Sequence, residues 1–168
     1  MNAFVQDAAR QARAVIAKSK FDTIPVPVEK IARSRGITVQ NIHLDDELSG
    51  MSFIKDGVAV IVVNAGHHPN RQRFTLAHEL GHHVLHYEYL QNNVHVDKVV
   101  LHRNQKSSDG SDQKEIQANA FAAELLMPLN KIRQFKEIDI NNENELMAVA
   151  RLFKVSATAI TFRIINIS

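Results

Sequence analysis

His78, Glu79 and His82 stand in the stretch FTLAHELGHHVLH, residues 74–86, where an acid follows directly on the first of two histidines spaced four apart. At about 100° per residue, with His78 at zero, His82 falls at about 40° and Glu79 at about 100° on a helix. Leu76, Ala77, Leu80, Val84 and Leu85 fill the other arc. One side packs and the other carries chemistry. Two imidazoles one turn apart can direct ring nitrogens to a single Zn²⁺ at about 2.0–2.1 Å. Glu79, rotated off that line, is placed to take a proton from water on the ion rather than to ligate it. The competing reading is a chance run of histidines on a helix surface. The amphipathic setting counts against it, as does Gly81, which signals close approach by another backbone.

A catalytic zinc takes three protein ligands and keeps one position open. His86 lies about 12 Å along the axis from His78 at about 1.5 Å per residue, too far to share an ion on a continuous helix. Enzymes that recruit a later histidine break the helix with a glycine, and none follows His82. His83 and His86 are therefore read as outer or surface groups, with His86 the nearer to the site. Glu115 is the better third ligand. With Glu115 at zero, Asn119 falls at about 40° and Leu126 at about 20°, whereas Gln113, Lys114, Gln117 and Glu124 gather between about 160° and 260°. An inward carboxylate is costly unless paired or bound to a cation. Asp112, three residues earlier, offers the alternative of a capping box that satisfies Glu115 locally. Asn119 is placed either to orient a ligating histidine through its free ring nitrogen or to serve as a packing amide.

These groups need a scaffold. The chain has 168 residues, 45% apolar, enough for one compact unit. It contains no cysteine, which excludes a disulfide framework, a thiolate metal cage and a cysteine nucleophile. No apolar run approaches a membrane span and the N-terminus lacks a signal-like core, so a cytoplasmic protein is expected. A net charge of +2 is too small to argue for nucleic acid. Alanine-rich residues 2–18 read as a helix, and Pro27–Ser34 as a second that Gly36 ends. Strands are predicted at Ile37–Val39, Met51–Ile54 and Val58–Val63, with Lys55-Asp56-Gly57 as hairpin chemistry between the last two. A helix from Pro69 to about Tyr89 carries the motif, and another spans about Gln113–Met127 before Pro128. The polar stretch RNQKSSDGSD, residues 103–112, reads as a mobile loop in a connection from about 91 to 112 that borders the cleft. The fold class is α+β: helices around a small mixed or antiparallel sheet with the motif helix central. Residues 1–135 are read as one domain carrying the histidine–acid motif and 136–168 as a helical, helix-turn-helix-like extension packed on it.

RQRFTLAHELGHHVLH followed by EIQANAFAAELLMP closely resembles the ImmA/IrrE family of small bacterial and phage metallopeptidases, and the ligand pattern is similar to that of thermolysin-like gluzincins. The likeness extends to PVPVEKIARSRGITV, to LSG at 48–50 and to VVN at 62–64. It implies a zincin-like active-site helix, zinc held by His78, His82 and Glu115, and Glu79 as general base. It also implies a protein substrate: members cut or inactivate a helix-turn-helix repressor. An oxyanion partner stays open among Tyr87, His95, His102, Arg71, Arg73 and Arg103.

Residues 148–164, AVARLFKVSATAITFRI, resemble the core of a helix-turn-helix, with Lys154 at the turn position where glycine is commonest. Only Thr158, Thr161 and Arg163 offer polar reach, thin equipment for bases or phosphates, so a structural or repressor-docking role is expected over DNA binding. The alternative function is a metal-containing transcription regulator or DNA-binding protein without peptidase activity. Glu79 weighs against it, since a structural metal site has no use for an acid beside its ligands.

Overall fold

A computed structural model describes residues 2–99 and 111–167. The first helix, α1 (Ala3–Ser19), starts where the Asn2 side chain accepts from Phe4 N–H at 3.1 Å and stops at Lys20 in the left-handed region. Its Ala8, Ala12 and Val15 are buried, and small residues there let α1 lie along the helix that begins at Ser111. Helix α2 (Val28–Ser34) follows Pro27 and ends before Gly36, whose φ of +78° a side chain would resist.

Strands β1 (Thr38–Ile42), β2 (Leu48–Lys55) and β3 (Val58–Asn64) come next. The β2–β3 hairpin turns through Asp56 and Gly57, both at positive φ, as the Asp-Gly pair predicts. β1 runs parallel to β3, β2 antiparallel to it, and a short strand β4 (His95–Lys98) adds antiparallel to β2, giving the order β1-β3-β2-β4. The sheet is mixed and the fold is α+β. Asn64, fully buried at the end of β3, donates to the carbonyls of Leu44, Asp45 and Leu48 and accepts from the N–H groups of Leu44 and Gly66. That one amide fixes the path of the acidic turn into β2.

Helix α3 (Pro69–Leu85) crosses the sheet and is gripped from both sides at glycines. A Cβ on Gly50 of β2 would meet Thr75 Cγ2 and the Val62 carbonyl at 2.6 Å, and one on Gly81 would meet the Ala118 Cα at 3.3 Å. His83 is also buried, with Nε2 3.0 Å from the Val60 carbonyl, tying α3 to β3. The predicted single helix to about Tyr89 is instead two: α3 stops at Leu85, His86 takes φ −128°, and α4 runs from Tyr87 to Asn92. No glycine or proline marks that break. β4 is a second difference, since the alternating VHVDK occupies part of what reads as a loop.

Helix α5 (Ser111–Leu126) packs on α1 and α3 and ends before Pro128. A short α6 (Leu129–Ile132) with a 3₁₀ turn (Arg133–Phe135) leads to α7 (Glu143–Phe153) and α8 (Ala157–Ile165). Asn142 and Ser156 cap α7 and α8, and Lys154 takes φ 53° between them. Phe153, Val155 and Ile160 join the same hydrophobic core as Leu80, Phe121 and Leu125. Glu124, predicted to face solvent, is instead buried: it pairs with Arg163 of α8 and with Arg13 of α1 at 3.4 Å, and accepts from Leu129 N–H at 3.0 Å. The 160°–260° stripe therefore fails at that end of α5. Among the described residues no helix is long and apolar enough to cross a membrane. The polar stretch 103–112, expected as a mobile loop, lies outside the described residues through Gly110.

Candidate metal centre

α3 and α5 meet around one point. His78 and His82, both buried, bring their Nε2 atoms to 3.1 Å of each other, and Glu115 of α5 reaches them with Oε2 3.2 Å from His78 Nε2 and Oε1 3.3 Å from His82 Nε2. Glu115 is 39% exposed. It is partly open to solvent rather than in a dry interior, so what holds it inward is the imidazoles, not burial. α5 begins at Ser111, so Asp112 lies within its first turn and not at the N-cap that a capping box needs.

The hydrogen bonds outside this point fix the ring tautomers. His78 Nδ1 donates to Asn119 Oδ1 at 2.9 Å, so its Nε2 carries a lone pair. His86 Nε2 donates to Gln117 Oε1 at 3.2 Å, which makes His86 Nδ1 the acceptor for His82 Nδ1–H at 3.0 Å. His82 Nε2 is then a lone pair as well. His86 N–H still bonds the His82 carbonyl at 2.8 Å, and this i,i+4 spacing puts the His86 ring beside that of His82, in the near-site place predicted for it.

With both rings neutral, two nitrogen lone pairs and a carboxylate converge at 3.1–3.3 Å, an arrangement held together by a proton or a metal ion between them. A tetrahedral ion with bonds of about 2.0–2.1 Å has ligand–ligand edges of about 3.3 Å. The donor set fits a metal ion. Burial pushes His82 down to about 4, which keeps it neutral and able to ligate.

Glu79 is fully buried beside these groups. Its Oε2 accepts from Ser52 Oγ and from His95 Nδ1, the latter at 3.0 Å, while its Oε1 has no partner. Burial raises the Glu79 pKa, but the His95 hydrogen bond and the surrounding imidazoles outweigh it and hold the group below the usual carboxylate value. One oxygen is anchored and the other is available to accept a proton.

His95 completes the cluster. Its Nε2 lies 2.8 Å from Glu115 Oε1, and ligand atoms of His78, His82, His95 and Glu115 all fall within 4.8 Å of one another. Burial would lower its pKa, but hydrogen bonds to Glu115 and Glu79 pull it up to about 10. Burial raises the Glu115 pKa, but the imidazoles of His78, His82 and His95 around it outweigh that and hold it far below the ordinary carboxylate value. Two acids in so small a space demand positive charge. Asp97, two residues on in β4, forms a further candidate group with His78 and Glu79, and burial raises its carboxyl.

Of the oxyanion candidates among the described residues, the structure brings only His95 among the atoms that could ligate a metal. Arg71 donates to Ser49 Oγ at 3.2 Å, Arg73 to the Val26 carbonyl at 2.8 Å, and Tyr87 is half exposed on α4. His102 and Arg103 lie outside the described residues. Ser52 and Asp97 have no motif of their own; the alternation across residues 94–98 was their one available signal, since it makes a strand that could pair with Met51 and Ser52.

No curated protein compared with the chain matches it. A solved chain described as a Mycobacterium tuberculosis transcriptional regulator is similar, with a TM-score of 0.63 and 19% identity over 94% of this chain and 46% of that one. The chain thus spans about half the length of that solved relative, and likeness at this identity speaks for the fold. The sequence profile of the IrrE N-terminal-like domain, Peptidase_M78, matches residues 32–164, from α2 to α8, and the chain belongs to that family.

Proposed function

We propose that the chain is a zinc-dependent endopeptidase that cleaves or inactivates a helix-turn-helix repressor in the cytoplasm. His78, His82 and Glu115 hold the ion and Glu79 is the general base. Family membership supports a metallopeptidase-type or regulatory role. The observation that carries the enzymatic reading is Glu79: a buried carboxylate with one oxygen clamped and the other unpartnered, next to converging metal donors.

When bound, zinc would polarise the scissile carbonyl and make water acidic enough to attack near neutral pH. Glu79 Oε1 accepts the proton of that water, and the same carboxyl then delivers it to the leaving amine. Ser52 and His95 hold Oε2 so that the lone pairs of Oε1 keep their aim. Asn119 and the His86–Gln117 pair hold the two imidazoles with Nε2 toward the centre.

DNA binding, the rival reading, loses support at α8. Arg163 is committed to Glu124 and to the Met127 carbonyl at 3.1 Å, Thr161 bonds the Ala157 carbonyl, and the outward groups include Phe162 and Ile165. A helix that presents phenylalanine and isoleucine is equipped for protein contact rather than phosphate.

Glu79→Gln tests the proposal. The variant should keep its zinc and lose cleavage of a helix-turn-helix repressor encoded beside the gene. Equal cleavage by both proteins would remove the peptidase reading, and salt-dependent DNA binding retained by the variant would favour the rival.

A further inference from the structure

A groove of about 990 Å³ opens between α1, α5, α6 and α8. Ala9, Ala120 and Ala123 line it, and side chains that small leave room between the helices for knobs from another element. Met127 and Phe162 add larger apolar walls, and Phe162 is 73% exposed. An open apolar groove of this size marks a contact surface. Its inner end adjoins the metal centre: Phe74 lines it and stacks on the His78 ring at 6.3 Å, and Asn119 lines it while bonding His78 Nδ1 at 2.9 Å.

The charge around the groove is positive. Glu124, one of its two acids, is buried and already occupied by Arg163 and Arg13, and Asp7, the other, pairs with Arg10. Arg13 stays 49% exposed, 3.4 Å from a carboxylate that Arg163 already matches. Arg133 is exposed and has no ion pair among the described residues. Acidic groups on a partner would complete this rim.

We propose that the groove docks the protein substrate through an amphipathic helix with large apolar side chains on one face and acidic side chains beside them. The inference rests on the protein-substrate half of the function proposed above and assigns where that substrate is held. The walls are helices, whose backbone groups are bonded internally, so an extended segment would leave its own N–H and C=O groups without partners there. A helix satisfies its backbone itself and enters such a groove by its apolar face. A second copy seated symmetrically would set the same arginines against each other. Held in this groove, the substrate lies one layer of side chains from His78.

Binding of a helix-turn-helix repressor encoded beside the gene to zinc-loaded Glu79→Gln reads docking without cleavage. Phe162→Asp, added to that variant, should weaken binding about 10-fold or more. Arg133→Glu should also weaken it and lessen its dependence on salt. Both side chains are exposed, and circular dichroism should show each variant folded. A synthetic helix of leucine and glutamate should compete with the repressor, and its leucine and lysine counterpart should not. Equal affinities in all three proteins, or equal competition by both peptides, would overturn the inference and leave the peptidase reading standing, because cleavage by the wild type tests that separately. A wild type that sediments as a dimer and becomes monomeric with Phe162→Asp would also overturn it, since the groove would then hold a second copy. A Glu79→Gln parent that binds no repressor removes the docking inference together with the repressor as substrate.

Discussion

Ser52 and His95 face each other across the β2–β4 ladder and converge on the same oxygen of Glu79. The sheet edge thereby sets the angle of the acid on α3 while leaving its second oxygen unpartnered. Removing one of the two holds should loosen the base without touching the ligands. Ser52→Ala is expected to keep stoichiometric zinc and lose about 10-fold in cleavage rate, a part of the 10²–10⁴ that a positioned base contributes. Repressor cleavage measured alongside zinc content checks this; an unchanged rate would mean Ser52 does not position Glu79.

Asn119 reaches His78 Nδ1 from α5 at 2.9 Å. Asn119→Leu removes the acceptor that fixes the tautomer, and such outer partners are worth about 10–100-fold in metal affinity. A chelator competition titration should show zinc binding weakened by that factor with the helical content unchanged.

Gly50 is where β2 and α3 touch most closely. A methyl group there meets backbone of β3 as well as Thr75, so the strand must move and with it Ser52. Overpacking of this kind costs about 1–3 kcal/mol, which lowers the melting temperature by roughly 2–12 °C in a chain of this size. Thermal unfolding of Gly50→Ala against wild type measures it, and an equal melting temperature would show that the contact relaxes freely.

Arg163 and Glu124 join α8 to α5 with little solvent access, 16% and 2% exposed. Breaking a buried pair from one side costs up to about 3–5 kcal/mol, and here it leaves Glu124 with only the half-exposed Arg13 at 3.4 Å. Arg163→Met should therefore destabilise strongly. Adding Glu124→Gln should recover most of the loss, because the amide oxygen still accepts from Leu129 N–H. Denaturant unfolding of the single and double variants separates the two, and an unrecovered double variant would place the loss in packing instead.

The convergence of His78 and His82 was legible because helical spacing is local: four residues bring them together wherever the helix lies. Glu115 was legible for a partly mistaken reason. The stripe that placed it inward assigned Glu124 to solvent, yet Arg163 comes from 39 residues away in the chain to meet Glu124, and no local periodicity carries that. The fold class followed from element patterns, and the β2–β3 turn from Asp-Gly chemistry. His95 and the end of α3 were harder. The break after Leu85 has no glycine or proline behind it, and β4 is a short edge strand whose identity depends on pairing with β2. Ser52 gained its place only through that pairing.

Zinc content of the purified chain, measured by mass spectrometry after dialysis with excess zinc, tests most directly whether the imidazoles of α3 and the carboxylate of α5 grip one ion. The wild type and Glu79→Gln should each carry one zinc per chain, and His82→Ala and Glu115→Ala should lose it or hold it at least 100-fold more weakly. A metal-free wild type, or full zinc retained in both ligand variants, would contradict a shared metal centre.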